Sequence, residues 1–200
     1  MVNQAPLVMM TPMNSGLKTV ADVVAKARAM DGNMPFATTG PGTTPHLSML
    51  TFARAAGIKL VHVPYKGPGD VMVAFQTGDV QLMNDHPSSI RMNGLHPIAV
   101  LAPQRLADFA AAPTMREAGY EVNFSIWHGL FAPAGTPAAT IARFEAACEA
   151  ATKAAAMITG HERIQTPIVY RNARDFAASV AADAQRMASI IEEGGLRAAE

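Results

Sequence analysis

Short apolar runs alternate with amphipathic stretches as far as Phe131, and Ala-rich helical patterns take over beyond it. Leu7, Val8, Met9 and Met10 form an apolar run stopped by Thr11 and Pro12, which predicts a buried strand. Thr19 followed by Asp22 has capping-box spacing ahead of Val23, Val24 and Ala27, so a helix is expected there. Asp31-Gly32-Asn33 breaks the chain before a second strand, Met34 to Thr38. Thr44 suits the N-cap and Pro45 the first position of the next helix. That helix carries one apolar face (Leu47, Leu50, Phe52, Ala53, Ala56) and ends at Gly57. A strand over Ile58–Val63, a helix over Asp70–Thr77, a strand over Val80–Met83, a helix over Pro87–Met92 and a strand over Pro97–Ala102 follow. Such alternation predicts an α/β fold with a parallel or mixed sheet.

Beyond Pro103 the pattern changes. Gln104 to Tyr120 holds a short helical patch between Pro113 and Gly119, and Val122 to Phe131 reads as a longer strand. Pro137–Thr159 and Ala173–Glu193 read as long helices, with Ile141, Phe144 and Cys148, then Phe176, Val180, Met187, Ile190 and Ile191, at helical spacing. The strand-like Pro167–Tyr170 separates them, and no internal repeat is detected.

Half of the residues are hydrophobic, enough for a real core, and sixteen basic side chains balance sixteen acidic ones. With no net charge and no adjacent Lys/Arg pair, neither nucleic acid nor an anionic membrane surface is an expected partner. Cys148 is the single cysteine, which excludes an internal disulfide and any multi-cysteine zinc site. No apolar run is long enough to span a bilayer. The opening MVNQAPLVMMTPMNSG has no basic region, apolar stretch and cleavage site in succession, so the sequence as it stands predicts a cytoplasmic location.

Candidate chemistry concentrates in the loop from Thr38 to His46. Gly40 and Gly42 permit a tight turn and put no Cβ in a ligand's way. The amides of His46 and Leu47, with the hydroxyls of Thr38, Thr39, Thr43 and Thr44, suit a carboxylate at a helix start, where the dipole adds roughly 0.3–1 kcal/mol. A plain strand-to-helix turn, with glycines serving the backbone only, fits the same residues. The loop lacks the third glycine of a dinucleotide fingerprint and the Gly-Lys-Ser/Thr of a P-loop, so no nucleotide cofactor is expected. Six histidines are scattered without His-x-x-x-His spacing, so no metal site is expected. Cys148 reads as a buried small hydrophobe. Asp85 and His86 follow an apolar strand at the end where open α/β sheets place ligand groups. Asp85 fits an acceptor for a ligand amine or a water, or the N-cap of the helix that follows, and the two roles are compatible. No nucleophile, base and orienting group can be assembled, so an enzyme is not expected.

Four segments, in order and spacing, carry a resemblance: Phe36-Ala-Thr-Thr-Gly-Pro-Gly-Thr-Thr-Pro-His46, His62-Val-Pro-Tyr-Lys-Gly67, Pro113-Thr-Met-Arg-Glu-Ala-Gly119 and Trp127-His-Gly-Leu-Phe-Ala-Pro-Ala-Gly-Thr-Pro137. Over essentially its whole length the chain resembles the substrate-binding proteins of tripartite tricarboxylate transporters, the Bug receptors. The resemblance implies a type II periplasmic-binding-protein-like, two-lobed α/β fold that closes over a small carboxylate or amino-acid-like ligand and delivers it to membrane permease subunits or a sensor. It implies a periplasmic location and no cofactor. It places Thr38, Thr39, Gly40, Gly42, Thr43, Thr44, His46 and Asp85 at the ligand, partly through ordered water. Residues 11–123 are then expected to form the second, ligand-closing lobe, and 1–10 with 124–200 the remainder of the first. Family members carry a further stretch ahead of the position matching Met1, with the export signal and the first lobe's ligand loop. Asn84 to Leu95 is shorter than the family pattern, and Pro45 removes a backbone donor. A partial first lobe leaves apolar faces uncovered, so a homo-oligomer is expected. The alternative is a truncated family member that self-associates or serves as an interaction protein without binding a small molecule.

Overall fold

The computed structural model describes residues 1–196. Its elements run β1 (Asn3–Pro6), β2 (Val8–Pro12), α1 (Val20–Ala29), β3 (Pro35–Thr38), α2 (Thr44–Ala55), β4 (Val61–Pro64), α3 (Pro68–Thr77), β5 (Met83–Asp85), α4 (Ser88–Asn93), β6 (Leu95–Val100), β7 (Ser125–His128), α5 (Ala138–Thr152), α6 (Ala155–Arg163) and α7 (Ala173–Glu193). Contacts divide the chain into a larger unit, Pro6–Ser125 with the chain from Ile190, and a smaller one, Met1–Ala5 with Ile126–Ser189. These limits lie five residues before the expected boundary at 11 and two after that at 123, and the end of α7 goes with the larger unit.

In the larger unit β2 is the middle strand of a three-stranded antiparallel sheet, between β5 and β6. Val8 faces Asp85 on one side and Val100 on the other, so the apolar run Val8–Met10 is buried completely. β3 and β4 pair in parallel with Phe36 beside His62, and α2 supplies the crossover that a parallel pair requires. The Ala37 amide donates to the Leu82 carbonyl at 2.9 Å, tying β3 to the approach of β5. Parallel and antiparallel pairings therefore coexist, as expected of a mixed α/β fold. Val8, Met10, Ala37, Val71, Phe75, Val80, Ile90 and Val100 make one core cluster, each large side chain worth roughly 1.5–3 kcal/mol on burial.

The helices begin where local chemistry directs. Thr19 caps α1 by accepting from the Asp22 amide at 3.1 Å while Asp22 accepts from the Thr19 amide at 2.8 Å, so the expected capping box is present. The start of α2 departs by one residue: Thr43 is the N-cap, and Thr44 and Pro45 occupy the first and second helical positions.

The smaller unit pairs β1 with β7, and Ile168 bridges Asn3. Three expectations are corrected here. The strand over Val122–Phe131 is regular only at Ser125–His128, because Phe124 bonds instead to Leu7 and Leu101, and Gly129 lies against the Phe176 ring. A Cβ on Gly129 would lie 2.3 Å from that ring. The helix over Pro137–Thr159 is two helices, separated by an extended Ala154 with ψ 135° that caps α6. Pro167–Tyr170 gives an isolated bridge rather than a strand.

Burial in this unit is thin. α5 buries only Thr152, α6 buries nothing, and α7 buries only Phe176. Phe131 is 70% exposed and Phe144 60%. Between α5 and α7 lies an open apolar cavity of about 870 Å³, lined among others by Phe131, Ile141, Phe144, Phe176 and Val180. Cys148 is half-buried on that cavity, not in a packed core as its spacing suggested, because no layer covers this face of α5. Among the described residues no helix is long and apolar enough to cross a membrane.

Candidate functional site

The loop between β3 and α2 folds upon itself. The Thr38 hydroxyl accepts from the Gly40 amide at 3.1 Å and lies 3.1 Å from the Gly40 carbonyl and 2.6 Å from His62 Nε2. The Thr43 hydroxyl donates to the same Gly40 carbonyl at 2.8 Å instead of capping α2. Gly40 and Gly42 adopt φ of +137° and +74°, conformations open to glycine and resisted by other residues. The Gly42 amide donates to His46 Nδ1 at 3.1 Å, so this nitrogen carries no proton.

His46 is buried at 3% exposure, and its ring stacks on that of His62 with centroids 3.9 Å apart. Phe36 continues the stack, 5.1 Å from His62. Burial, and then the neighbouring His62, push the His46 pKa down to about 4. Burial also lowers that of His62. Both rings are therefore neutral at pH 7, and His46 offers the loop an acceptor rather than a cation.

The chain thus sorts the sequence candidates. Thr38, Gly40, Gly42, Thr43 and His46 are engaged in holding the loop. Thr39 is exposed and Thr44 half-buried, and neither hydroxyl has a hydrogen bond among the described residues. The Leu47 amide, expected to be free, donates to the Thr43 carbonyl at 3.0 Å, because the N-cap lies one residue earlier than Thr44. Asp85 does not cap α4, whose N-cap is Pro87; its Oδ2 accepts from the Ser89 hydroxyl at 2.7 Å.

Thr38, Thr39, Pro45, Asn84 and Asp85 line one small cavity of about 20 Å³, room for a single water-sized group. Asn84 is a member that sequence reasoning missed. It is 1% exposed, its Nδ2 donates to the Ser48 hydroxyl at 2.9 Å, and its Oδ1 has no partner among the described residues. A buried acceptor left without a donor costs about 1–3 kcal/mol, so this oxygen favours an N–H or O–H entering the cavity. His62 was also missed. Its motif was visible, but its place against His46 depends on the β3–β4 register, which no local pattern displays. No group of three or more His, Cys, Asp or Glu residues among those described is placed to hold a metal ion.

The cavity brings Thr39, whose hydroxyl has no hydrogen bond among the described residues, together with a pair of acceptors, Asn84 and Asp85, beside the start of α2, where Thr44 is the first helical residue. A small organic acid that also carries a hydrogen-bond donor is complementary to that set.

Comparison with known proteins supplies the family. The family model described as the tripartite tricarboxylate transporter family receptor matches residues 1–196. A UPF0065 protein from the tcbD-tcbE intergenic region of Pseudomonas sp. (strain P51) is 32% identical over 147 residues, covering 70% of this chain and 44% of its own length. The solved structure of R. palustris Rpa4515 with adipate superposes with a TM-score of 0.85 at 22% identity, covering 97% of this chain and 67% of that one. That of the periplasmic binding protein BugD gives 0.82 at 22% identity, covering 98% and 68%. The chain thus spans about half to two-thirds of the length of the proteins it matches. By the match along its described length, the chain belongs to the tripartite tricarboxylate transporter receptor family.

Proposed function

We propose that this chain binds a small organic acid, a mono- or dicarboxylate or an amino-acid-like molecule, and serves as the solute receptor of a tripartite tricarboxylate-type transporter. The observation that carries the reading is the Gly40–Thr44 loop at the start of α2, set beside the cavity of Asn84 and Asp85. A ligand carboxylate accepts from the Thr39 and Thr44 hydroxyls at the positive end of the helix, and a ligand hydroxyl, ammonium or bridging water donates to Asn84 Oδ1 and Asp85. Thr38, Gly40, Gly42, Thr43 and His46 shape the loop that presents these groups. The family is one of solute receptors, not enzymes, and a solved relative holds adipate. Permease subunits are the partners this role requires, and the periplasm, where BugD resides, is the location it requires.

A thermal-shift screen tests the reading. Adipate and a panel of mono-, di- and amino-carboxylates raise the melting temperature saturably, while their uncharged amides do not. Equal shifts from acids and amides, or none from either in folded protein, reject it.

A second reading rests on the thin burial of the smaller unit. Its apolar cavity and exposed Phe131 and Phe144 suit association with a second copy of the chain. The two readings are compatible, since the residues proposed for the ligand lie in the larger unit.

A further inference from the structure

The two stacked histidines are used above only as scaffolding, yet their arrangement connects the loop to the proton. His46 stands on α2 and His62 on β4, and each ring holds a different part of the β3–α2 loop: His46 Nδ1 receives the Gly42 amide, and His62 Nε2 meets the Thr38 hydroxyl that also receives the Gly40 amide. Every polar tie from the rings therefore ends on the loop. We infer that His46 and His62 are positioning residues that act as a proton-sensitive latch, keeping the loop in its closed form only while both rings are neutral. The consequence for carboxylate binding rests on the receptor reading; the latch itself does not.

The physical case is one of donors and acceptors. A proton on His46 Nδ1 replaces an acceptor with a donor facing the Gly42 amide at 3.1 Å, and two donors repel. A second charge on His62, 3.9 Å away between centroids, meets a like charge in a buried stack. No carboxylate compensates. β3 offers the pair Phe36 and Thr38, neither ionisable, and among the described residues the charge that bears on His46 is that of His62. The titratable residues on neighbouring elements and their flanks include Asp85 at the end of β5, Lys59 before β4, Tyr65 and Lys66 after it, Asp70 in the first turn of α3, and Arg54 near the far end of α2. None of them is a cause of the shift at either ring, and Arg54 is paired with Glu193. The rings titrate normally, near pH 6.5, only once the loop opens and water reaches them.

The sign follows. Well above pH 6.5 neither closed nor open form binds an appreciable fraction of a proton at these rings, and the latch costs almost nothing. Below it the open form takes up protons that the closed form refuses until about pH 4 at His46, so opening is favoured across that window. For one ring of ordinary pKa when open, the opening constant rises about tenfold between pH 7.5 and 5.5, and for two rings up to about a hundredfold.

Hydrogen exchange by NMR at the Gly40 and Gly42 amides, corrected for the intrinsic rate at each pH, reads this without any ligand. Protection in the wild type falls at least about tenfold from pH 7.5 to 5.5. In His46→Asn, where an amide oxygen can receive the Gly42 N–H but cannot titrate, most of that fall disappears. Protection that is constant with pH in the wild type, or that falls equally in His46→Asn, overturns the latch. If that variant does not fold, His62→Phe keeps an aromatic face on His46 and removes one titrating ring. Its fall is then smaller than that of the wild type, and an equal fall overturns the latch. Adipate at pH 7.0 serves as a separate arm. Slower exchange at Gly42 ties latch and ligand together, whereas pH-dependent protection with no response to adipate or to the carboxylate panel supports the latch and rejects the receptor reading.

Discussion

Gly40 and Gly42 sit at φ +137° and +74°, and almost nothing surrounds them: the nearest atom to a Cβ on Gly40 is Thr43 Cγ2 at 4.0 Å, and Gly42 has none within 4 Å. Their requirement is conformational, not steric. Gly40→Ala should therefore destabilise the chain by about 1–3 kcal/mol, and Gly42→Ala by about 1–2 kcal/mol, read from urea unfolding midpoints. A D-alanine introduced at Gly42 by semisynthesis should be close to neutral, which a crowding explanation would not predict. The glycines and threonines of this loop were legible in the sequence because turn chemistry is local. The division of labour among them was not. That Thr38 and Thr43 turn inward while Thr39 and Thr44 keep hydroxyls without partners among the described residues is decided by His62 and the Gly40 carbonyl, which arrive from the parallel strand and the turn itself. Asn84 escaped for a related reason: an asparagine at a strand end reads as a turn former, and only burial to 1% exposure makes its unpartnered oxygen informative.

Among the elements, α1 shows local signals succeeding. Thr19 and Asp22 satisfy each other's backbone donors, and Thr19→Ala should cost about 0.5–2 kcal/mol of stability without altering ligand response, measured by denaturation and by thermal shift with adipate. The α5–α6 break shows them failing. No glycine or proline stands at Lys153-Ala154, and alanine is the best helix former, so nothing in the pattern marks where α5 ends. α4 starts one residue after Pro87, which is itself the N-cap, and Asp85 accepts from the Ser89 hydroxyl and does not cap. Ser89→Ala should free Asp85 Oδ2 and leave α4 in place, changing preference between hydroxy-acid and plain dicarboxylate ligands more than it changes melting temperature.

For the whole molecule, the alternation of strands and helices predicted the α/β class, and four motifs in register predicted the family; both hold. The smaller unit is where pattern and packing part. Ile141, Phe144, Val180 and Phe176 have helical spacing suited to a buried seam, yet only Phe176 is buried, since no layer covers them here. An apolar face of this kind should bind anilinonaphthalene sulfonate at neutral pH. By sizing with light scattering the chain should elute as a dimer or larger species at micromolar concentration, shifting toward monomer in Phe144→Asp. A monomer that binds no dye would remove the self-association reading. The residues proposed for the ligand, all in the larger unit, are then judged separately.

Calorimetric titration of the tightest carboxylate from the screen into wild type, Thr39→Ala and Thr44→Val at pH 7.5 tests the central claim most directly. One-site binding is predicted, weakened about 10- to 100-fold by each substitution with the fold intact, as expected for the loss of one hydrogen bond to a charged group. Unchanged affinity in both variants, or no heat of binding to folded wild-type protein, would contradict a carboxylate site at the β3–α2 loop.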